Sequence, residues 1–477
     1  MTDSNRQIGD LFKEFRRGDI NRREFLTRGT ALGISAVFLG RMVTDKAFAQ
    51  DASPAAAAPG YSLKTPAGFD QSLAGQKITV VMGSDGPGTP FEQACVKLFT
   101  ETTGVEVNYI AGAQSTTDRL SNYLQILNAQ ASDIDAMMID VIHPGILAIH
   151  ALDLTDAMKA NNVEYFKAIV DNNTVDGKLV GIPFYTDAGL LYYRKDLLEK
   201  YSMSAPPATW ADLETSAKTI MDGERGGGAG EFWGFVWQGN AYEGLTCDAL
   251  EWQVSNGGGN IIEPDGTISV NNPQAIAAME RSKAWIGTIS PEGVTTYQEE
   301  DARNVWQGGN SAFMRNWPYA FSAGQSADSV IKDKFAVTLL PKGDGEGARN
   351  AATLGGWQMM ASKYSKSPDA AALFCRFMTT TEVERSSAIE RALLPTIAAV
   401  YDDPDVLKAN PYYADLKPVF QGGAVPRPST VSSSSYNDVS TSYFTHVHNI
   451  LTGSGDAASE LKACADELKT IMDELNA

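Results

Sequence analysis

The stretch "IPFYTDAGLLYYRKDLL" (Ile182–Leu198) is where one folding pattern ends and a second begins. On its amino-terminal side, "KITVVMG" (77–83), "VEVNYIAG" (105–112) and "IDAMMID" (134–140) are short apolar runs that read as strands. Between them, "TPFEQACVKLFTETTG" (89–104) and "STTDRLSNYLQILNAQ" (115–130) have the spacing of helices. Thr89, Pro90 and Glu92 form the start signal of the first helix, and Ser115 with Asp118 that of the second. Strand and helix alternating at this pitch predict an α/β fold with a mostly parallel sheet covered on both faces. Ligands bind such sheets beyond the carboxyl ends of the strands, which puts Met82–Thr89, Ala111–Arg119 and Asp140–Gly145 along one rim.

After Leu198 the pattern restarts. A helix is expected from Trp210 to Met221 behind Thr209 as cap, then a glycine-rich loop, "GERGGGAG" (223–230). "EFWGFVWQG" (231–239) reads as strand, "GLTCDALEWQVSN" (244–256) as helix, and "IIEPDGTISV" (261–270) as a hairpin with an Asp-Gly turn. Helices follow at 273–287 and near 297–308, and strands at 334–341 and 355–362. Residues 367–390 read as one capped helix, and the tail from Tyr436 as two helices split by "TGSGD". Two α/β lobes joined by extended crossings make a cleft, and the crossings can hinge. In "AFMRNWPYAF" (312–321), Trp317 and Tyr319 flank a proline that ends a strand. Such rings either plug a core or line a surface that meets something flat.

The bulk properties narrow the function. At 477 residues the chain suits two domains, and 43% apolar with 20% charged residues is ordinary globular composition. A formal charge of −19 without a basic stripe excludes a nucleic-acid face. Near the amino terminus, Arg22-Arg23, then Phe25-Leu26, a short apolar run (31–40) and Ala47-Phe48-Ala49 read as a cleavable signal of the Tat type over residues 1–49. The apolar run is too short to span a bilayer. Cleavage leaves 30 Lys/Arg against 52 Asp/Glu, a formal charge of −22, in an exported protein, periplasmic or extracellular. Residues 50–75, rich in Ala, Pro and Gly, read as a flexible linker. Cys95, Cys247, Cys375 and Cys464 lie far apart, three of them in helical patterns, and suit buried small hydrophobes.

Catalytic and cofactor motifs are missing. The chain has no HExxH, GxSxG or P-loop, and "GSGDAA" (453–458) joins two helices instead of leaving a strand. His446 and His448, two apart on a helical pattern, point in different directions and make a poor metal pair. No catalytic residue, metal or cofactor is assigned. What remains is aromatics beside bends: Tyr185, Tyr242, Trp317, Tyr319 and Trp357. A pyranose has an apolar C–H face that such rings cover and a rim of hydroxyls that carboxylates and arginines pair with.

Five stretches in order carry a resemblance over residues 76–477. They are "IPFYTDAGLLYYRKDLLEKYSMSAPPATWADL", "VWQGNAYEGLTCDALEWQVSNGGG", "GNSAFMRNWPYAF", "LGGWQMMASKYSKSPDAAALFCRFM" and "AVPRPSTVSSSSYNDVS". The chain resembles the extracellular solute-binding proteins of sugar ABC transporters, the group that includes maltose-binding protein, and within it the trehalose/maltose/sucrose binders. The resemblance implies a two-lobed, type II-like binding-protein fold with a hinge and an interlobe cleft. Lobe 1 would comprise 76–186 plus 357–405, and lobe 2 187–356 plus 406–477. It implies that Trp317, Tyr319, Gly355, Trp357 and Arg427 contact a sugar, with Asp140 and Arg119 from the first lobe and Tyr185, Tyr242 and Glu243 completing the set. It further implies a monomer that closes on a di- or oligosaccharide and docks on permease subunits at the membrane. Two positions depart from the group. The first strand–helix loop, "GSDGPGTP", has Asp85 as its one acid, and "DVIHPG" has His143 where relatives often have tryptophan. The rival reading is an exported glycoside hydrolase on a similar cleft; a sensor subunit that reports sugar to a membrane receptor is a third.

Overall fold

Apolar strands that alternate with capped helices have to bury both sheet faces, and the chain does this twice. The computed structural model describes residues 24, 28, 61–83, 88–327, 329–413 and 424–475. The expected signal, apart from Glu24 and Arg28, lies outside the described residues, as do 50–60 of the expected linker and Asp85. The strands used below are β1 (Lys77–Met82), β2 (Glu106–Ala111), β3 (Ala136–Asp140), β4 (Ile182–Ala188), β5 (Leu190–Arg194), β6 (Trp233–Val236), β7 (Ser311–Asn316), β8 (Phe335–Thr338) and β9 (Ala352–Ala361). The helices are α1 (Gly88–Thr103), α2 (Thr116–Asn128), α3 (Trp210–Gly226), α4 (Glu243–Ser255), α5 (Pro273–Trp285), α6 (Glu299–Gln307), α7 (Pro368–Met378), α8 (Thr381–Arg391), α9 (Tyr436–Thr452) and α10 (Ala457–Leu475).

Two compact units result. The first holds the described residues up to Tyr185, with Trp357–Glu390 and Pro395–Val400; the second holds Thr186–Gly356, Arg391–Leu394 and Tyr401 onward. The chain therefore passes from one unit to the other inside β4 and again inside β9. Among the described residues no helix is long and apolar enough to cross a membrane.

In the first unit β1 runs parallel to β2 and β3, and β3 pairs antiparallel with β9. Ser115 caps α2 as its spacing predicts, accepting a hydrogen bond from the Asp118 backbone N–H. The apolar face of α2 (Leu120, Tyr123, Ile126, Leu127) packs on Val81, Met137, Ile139 and Met360. Glu92, expected to close a capping box, is used otherwise. Its carboxylate accepts from the Gly83 backbone N–H at 2.9 Å and the Tyr109 hydroxyl at 2.8 Å.

The single helix expected over 367–390 is two, α7 and α8. The run Thr379-Thr380-Thr381 breaks it, with the Thr379 hydroxyl bonding back to the Cys375 carbonyl at 3.0 Å. Ser367 makes no side-chain cap to α7. Glu384 on α8 is buried. It accepts from the backbone N–H groups of Thr396 and Ile397 and from the Thr396 hydroxyl. Burial, against those bonds, pushes its carboxyl up to about 8.

The second unit's sheet has the order β8-β5-β7-β6, with β7–β6 parallel and the other two ladders antiparallel. The mostly parallel sheet that the sequence predicts is therefore mixed here; an antiparallel neighbour needs no crossover helix. Thr209 and Asp212 form a reciprocal capping box at α3. The expected hairpin at 261–270 is present in short form: Ser269 N–H donates to the Ile261 carbonyl at 3.1 Å and Glu263 N–H to the Thr267 carbonyl at 2.8 Å, around the bridge Ile262 to Ile268. Trp210, Trp237, Trp252 and Trp285 form one aromatic cluster with Phe235, edge-to-face among Phe235, Trp237, Trp252 and Trp285 and tilted at Trp210. All four cysteines are buried, as suits small hydrophobes.

Every residue of α4 is buried, yet the helix carries three acids, Glu243, Asp248 and Glu251. Such a helix stands only if each acid is partnered. Arg315 on β7 meets Glu251 through Nη2 at 2.6 Å and Nε at 2.9 Å, and Asp248 through Nε at 3.0 Å. Its Nη1 donates to the Gln238 side-chain oxygen at 3.1 Å. Gly189, which joins β4 to β5, passes directly over this group: a Cβ there would lie 1.9 Å from Glu251 Oε1 and 2.7 Å from Arg315 Nη2.

Two predictions follow from these buried charges. Gly189→Ala is expected to destabilise by roughly 1–3 kcal/mol or more, as overpacking does, read as a lowered denaturant midpoint. For Glu384, the folded carboxyl binds its proton up to about 8 while the unfolded one releases it near 4.5. Stability from this group is therefore greatest below 4.5 and declines as pH rises to about 8. Glu384→Gln lacks that titration, so the wild-type minus variant difference in unfolding free energy should itself decline as pH rises across 4–9.

Candidate functional site

The rim expected at the strand ends of the first unit gathers three of the candidate residues. Asp140 ends β3 and is the cross-strand partner of Trp357 on β9. Arg119, in the first turns of α2, lays its guanidinium over the Trp357 ring at 4.5 Å from the centroid. It is fixed there by bonds from Nε and Nη2 to the Ala113 carbonyl at 3.2 and 2.7 Å. Arg119 and Asp140 are buried, while Trp357 keeps part of its surface. Five tryptophans, Trp210, Trp237, Trp252, Trp285 and Trp306, are core residues. Trp357 and Trp317 are not, which answers whether these two rings merely plug a core.

His143, the departure in "DVIHPG", offers no stacking face. It is wholly buried, and its Nδ1 accepts from the Asp140 backbone N–H at 3.1 Å, closing the turn that follows β3. Asp140 itself accepts from the Ile142 N–H at 3.2 Å. Tyr185 is buried where the first unit's part of β4 ends, edge-on to Phe184 with centroids 5.2 Å apart.

The second unit gathers the rest around β7. Pro318 ends the strand, and Trp317 turns its ring so that Arg315 stacks on it at 4.0 Å from the centroid. Gly355 lies against the far edge of the indole. A Cβ there would lie 3.0 Å from both the Trp317 ring and the Asp187 side chain, so glycine gives this strand a close approach. The Trp317 indole N–H reaches Glu299 Oε1 at 3.3 Å, and the Tyr242 hydroxyl donates to Glu299 Oε2 at 2.6 Å. Burial first, and then the Glu299 charge, pushes the Tyr242 hydroxyl well above its ordinary range, so it stays a donor. Tyr319 donates to Glu300 Oε1 at 2.6 Å, and Arg303 pairs with the same carboxylate.

Glu243 and Arg427 form a pair of their own. Arg427 Nη1 meets Glu243 Oε1 at 2.7 Å, and both side chains are nearly fully buried. The same carboxylate accepts from the Tyr436 hydroxyl at 2.5 Å and the Ser440 hydroxyl at 2.6 Å, tying α4 to α9. Arg427 Nη2 also reaches the Leu354 carbonyl, next to Gly355, at 3.4 Å. Asp187, Glu299 and Glu300 were not singled out by sequence. The first stands two residues after Tyr185 in the same quoted stretch. The acidic pair opens a helix whose capping box, Gln298 with Asp301, was the available signal. His446 and His448 go separate ways, to Glu460 at 2.6 Å and to the Thr295 carbonyl at 3.1 Å.

The Glu243–Arg427 geometry yields a direct expectation. Arg427→Ala leaves a buried carboxylate without its counter-charge and should cost about 3–5 kcal/mol in denaturant unfolding. An arginine that served only a ligand would change stability by no more than about 0.5 kcal/mol.

The chain matches the family model of bacterial extracellular solute-binding proteins over residues 83–385. A probable ABC transporter-binding protein of Deinococcus radiodurans is 47% identical over 398 residues, which covers 83% of this chain and 94% of that protein. Among solved structures, maltose-bound MalE3 of T. maritima is similar with a TM-score of 0.78 at 39% identity, covering 83% of this chain and 99% of that one. A solute-binding protein of Thermotoga lettingae bound with α-D-tagatose shares the fold at a TM-score of 0.74 and 22% identity, covering 83% of this chain and all of its own. By this match and by its two α/β units, the chain belongs to the bacterial extracellular solute-binding proteins.

Proposed function

We propose that this chain is the solute-binding subunit of an ABC importer and that its solute is a di- or oligosaccharide. An α-linked disaccharide such as trehalose, maltose or sucrose fits first. The observation that carries the reading is a partly exposed tryptophan stacked on a fixed arginine in each unit, Trp357 on Arg119 with Asp140 across the strand, and Trp317 on Arg315 with Asp187 on the other side of Gly355. A ring face covers the apolar side of a pyranose, and the carboxylates accept from its hydroxyls. The names of the relatives, one a transporter-binding protein and one bound to maltose, support it. In this reading the chain is exported by the Tat route, acts as a monomer, and hands unaltered sugar to permease subunits. It needs neither cofactor nor nucleic acid and catalyses nothing.

Titration calorimetry of the mature protein against trehalose, maltose and sucrose tests it. A one-to-one heat is expected with at least one sugar. Trp317→Ala and Trp357→Ala, one for each unit, should each weaken that binding by about 30-fold, roughly the 2 kcal/mol of a buried aromatic anchor. No heat with any sugar, or free glucose accumulating on incubation, would overturn the reading, the second in favour of a glycoside hydrolase.

A further inference from the structure

The polar ends of the aromatic wall in the second unit are all engaged within the protein. We propose that Glu299 is the positioning residue of that wall, one carboxylate that anchors the partly exposed Trp317 ring to the buried Tyr242 hydroxyl so that a ligand meets the indole face and not its donor. The inference rests on the sugar-binding reading for what the wall is used for.

Four observations carry it. Glu299 Oε2 takes the Tyr242 hydroxyl at 2.6 Å and Oε1 the Trp317 indole N–H at 3.3 Å, so a single side chain orients two rings 75 residues apart in sequence. The Glu299 backbone is tied to the same place: its carbonyl accepts from the Asn316 side-chain N–H at 3.1 Å, and the Asn316 side-chain oxygen accepts from the Trp317 backbone N–H at 2.8 Å. Arg315 covers one face of the indole, so a stacking ligand has to use the other. Glu300, next on the same helical turn, holds the Tyr319 hydroxyl in the same way. Burial raises the Glu299 carboxyl, while the bonds from Tyr242 and Trp317 and the charge of Arg315 pull it back. The donors of all three rings are thus committed to protein carboxylates before any ligand arrives; Tyr242 is buried, and what Trp317 and Tyr319 present is flat apolar surface.

Two measurements on the full mature chain test this. The first needs no ligand: the indole N–H signal of Trp317, identified by its loss in Trp317→Phe, is followed in Glu299→Ala and in the isosteric Glu299→Gln. It should move upfield in the alanine variant, and less in the glutamine variant, which keeps one acceptor. An unmoved signal in both overturns the proposal. The second is a double-mutant cycle on the affinity for whichever disaccharide titrates. Glu299→Ala should weaken binding about tenfold in the wild-type background, the worth of one hydrogen bond to a charged acceptor. In the Trp317→Ala background it should cost less than about a third of that, because the ring it positions is gone. A loss that persists in full in that background overturns the positioning role and makes Glu299 a direct contact or a general support of the fold. Should no sugar bind the wild type, the sugar-binding reading fails, and the indole signal still decides whether Glu299 holds the ring.

Discussion

The second unit is organised around one buried cation. Arg315 stands among Asp248, Glu251 and Gln238 with almost no access to water. Burial opposes its charge, but the two carboxylates outweigh that and hold the guanidinium protonated. Burial likewise pushes Asp248 well up, and the neighbouring Glu251 adds to it against the pull of Arg315. Groups taken this far from water are tolerated only when every face is answered. Each answer here comes from a different element: α4 supplies the acids, Gln238 follows β6, and the Thr353 N–H of β9 donates to Glu251 at 3.0 Å. The network thereby ties three strands and a helix to a common point. Gly189 is the residue that lets β4 run into β5 past it.

The same cation also serves the surface. Its guanidinium is the floor under Trp317, and in the first unit Arg119 does for Trp357 what Arg315 does for Trp317. The two arginines are fixed by unlike means, one by a backbone carbonyl and the other by buried carboxylates. The outcome is alike: a large ring with one face occupied, held in one orientation. A ring that is already still loses little freedom when a ligand stacks on it, so more of the contact appears as affinity. This is why the exposure of these two tryptophans, unlike that of a stray surface apolar residue, points to binding.

Much of this was legible in sequence because it is local. The cap at Ser115, the capping box at Thr209 and the apolar stripe of α2 each lie within a few residues, and local spacing encodes them. Trp317 was legible because a proline beside it ends the strand. What spacing does not encode is pairing across the chain. Glu243 and Arg427 lie 184 residues apart, and either one alone reads as a polar residue available to a ligand. Only the fold shows them bonded to each other, with Glu243 also accepting from Tyr436 and Ser440. Glu299 is the converse case: it reads as one more acid in a helix's first turn, and its meaning lies in two rings that reach it from distant segments. The split between α7 and α8 was hidden because three threonines are tolerated in a helix until their hydroxyls compete for its carbonyls.

The division of labour in the wall bears on what decides the ligand. A ring face is nearly indifferent to which hydroxyl is axial and to where a glycosidic bond lies, because it meets only C–H groups. On the proposed reading, Trp317 and Tyr319, their donors committed to Glu299 and Glu300, supply adhesion without direction. Discrimination then falls to polar groups whose cost is high when the partner is absent or misplaced. Asp187, beside Gly355 and the edge of Trp317, and Asp140, across the strand from Trp357, stand where such groups are needed. His143 fits the same logic. Its Nδ1 accepts from the Asp140 backbone N–H and holds in place the turn that carries the acid. On the proposed sugar-binding reading, two chains with the same aromatic frame can therefore select different sugars through the few carboxylates set at its edges.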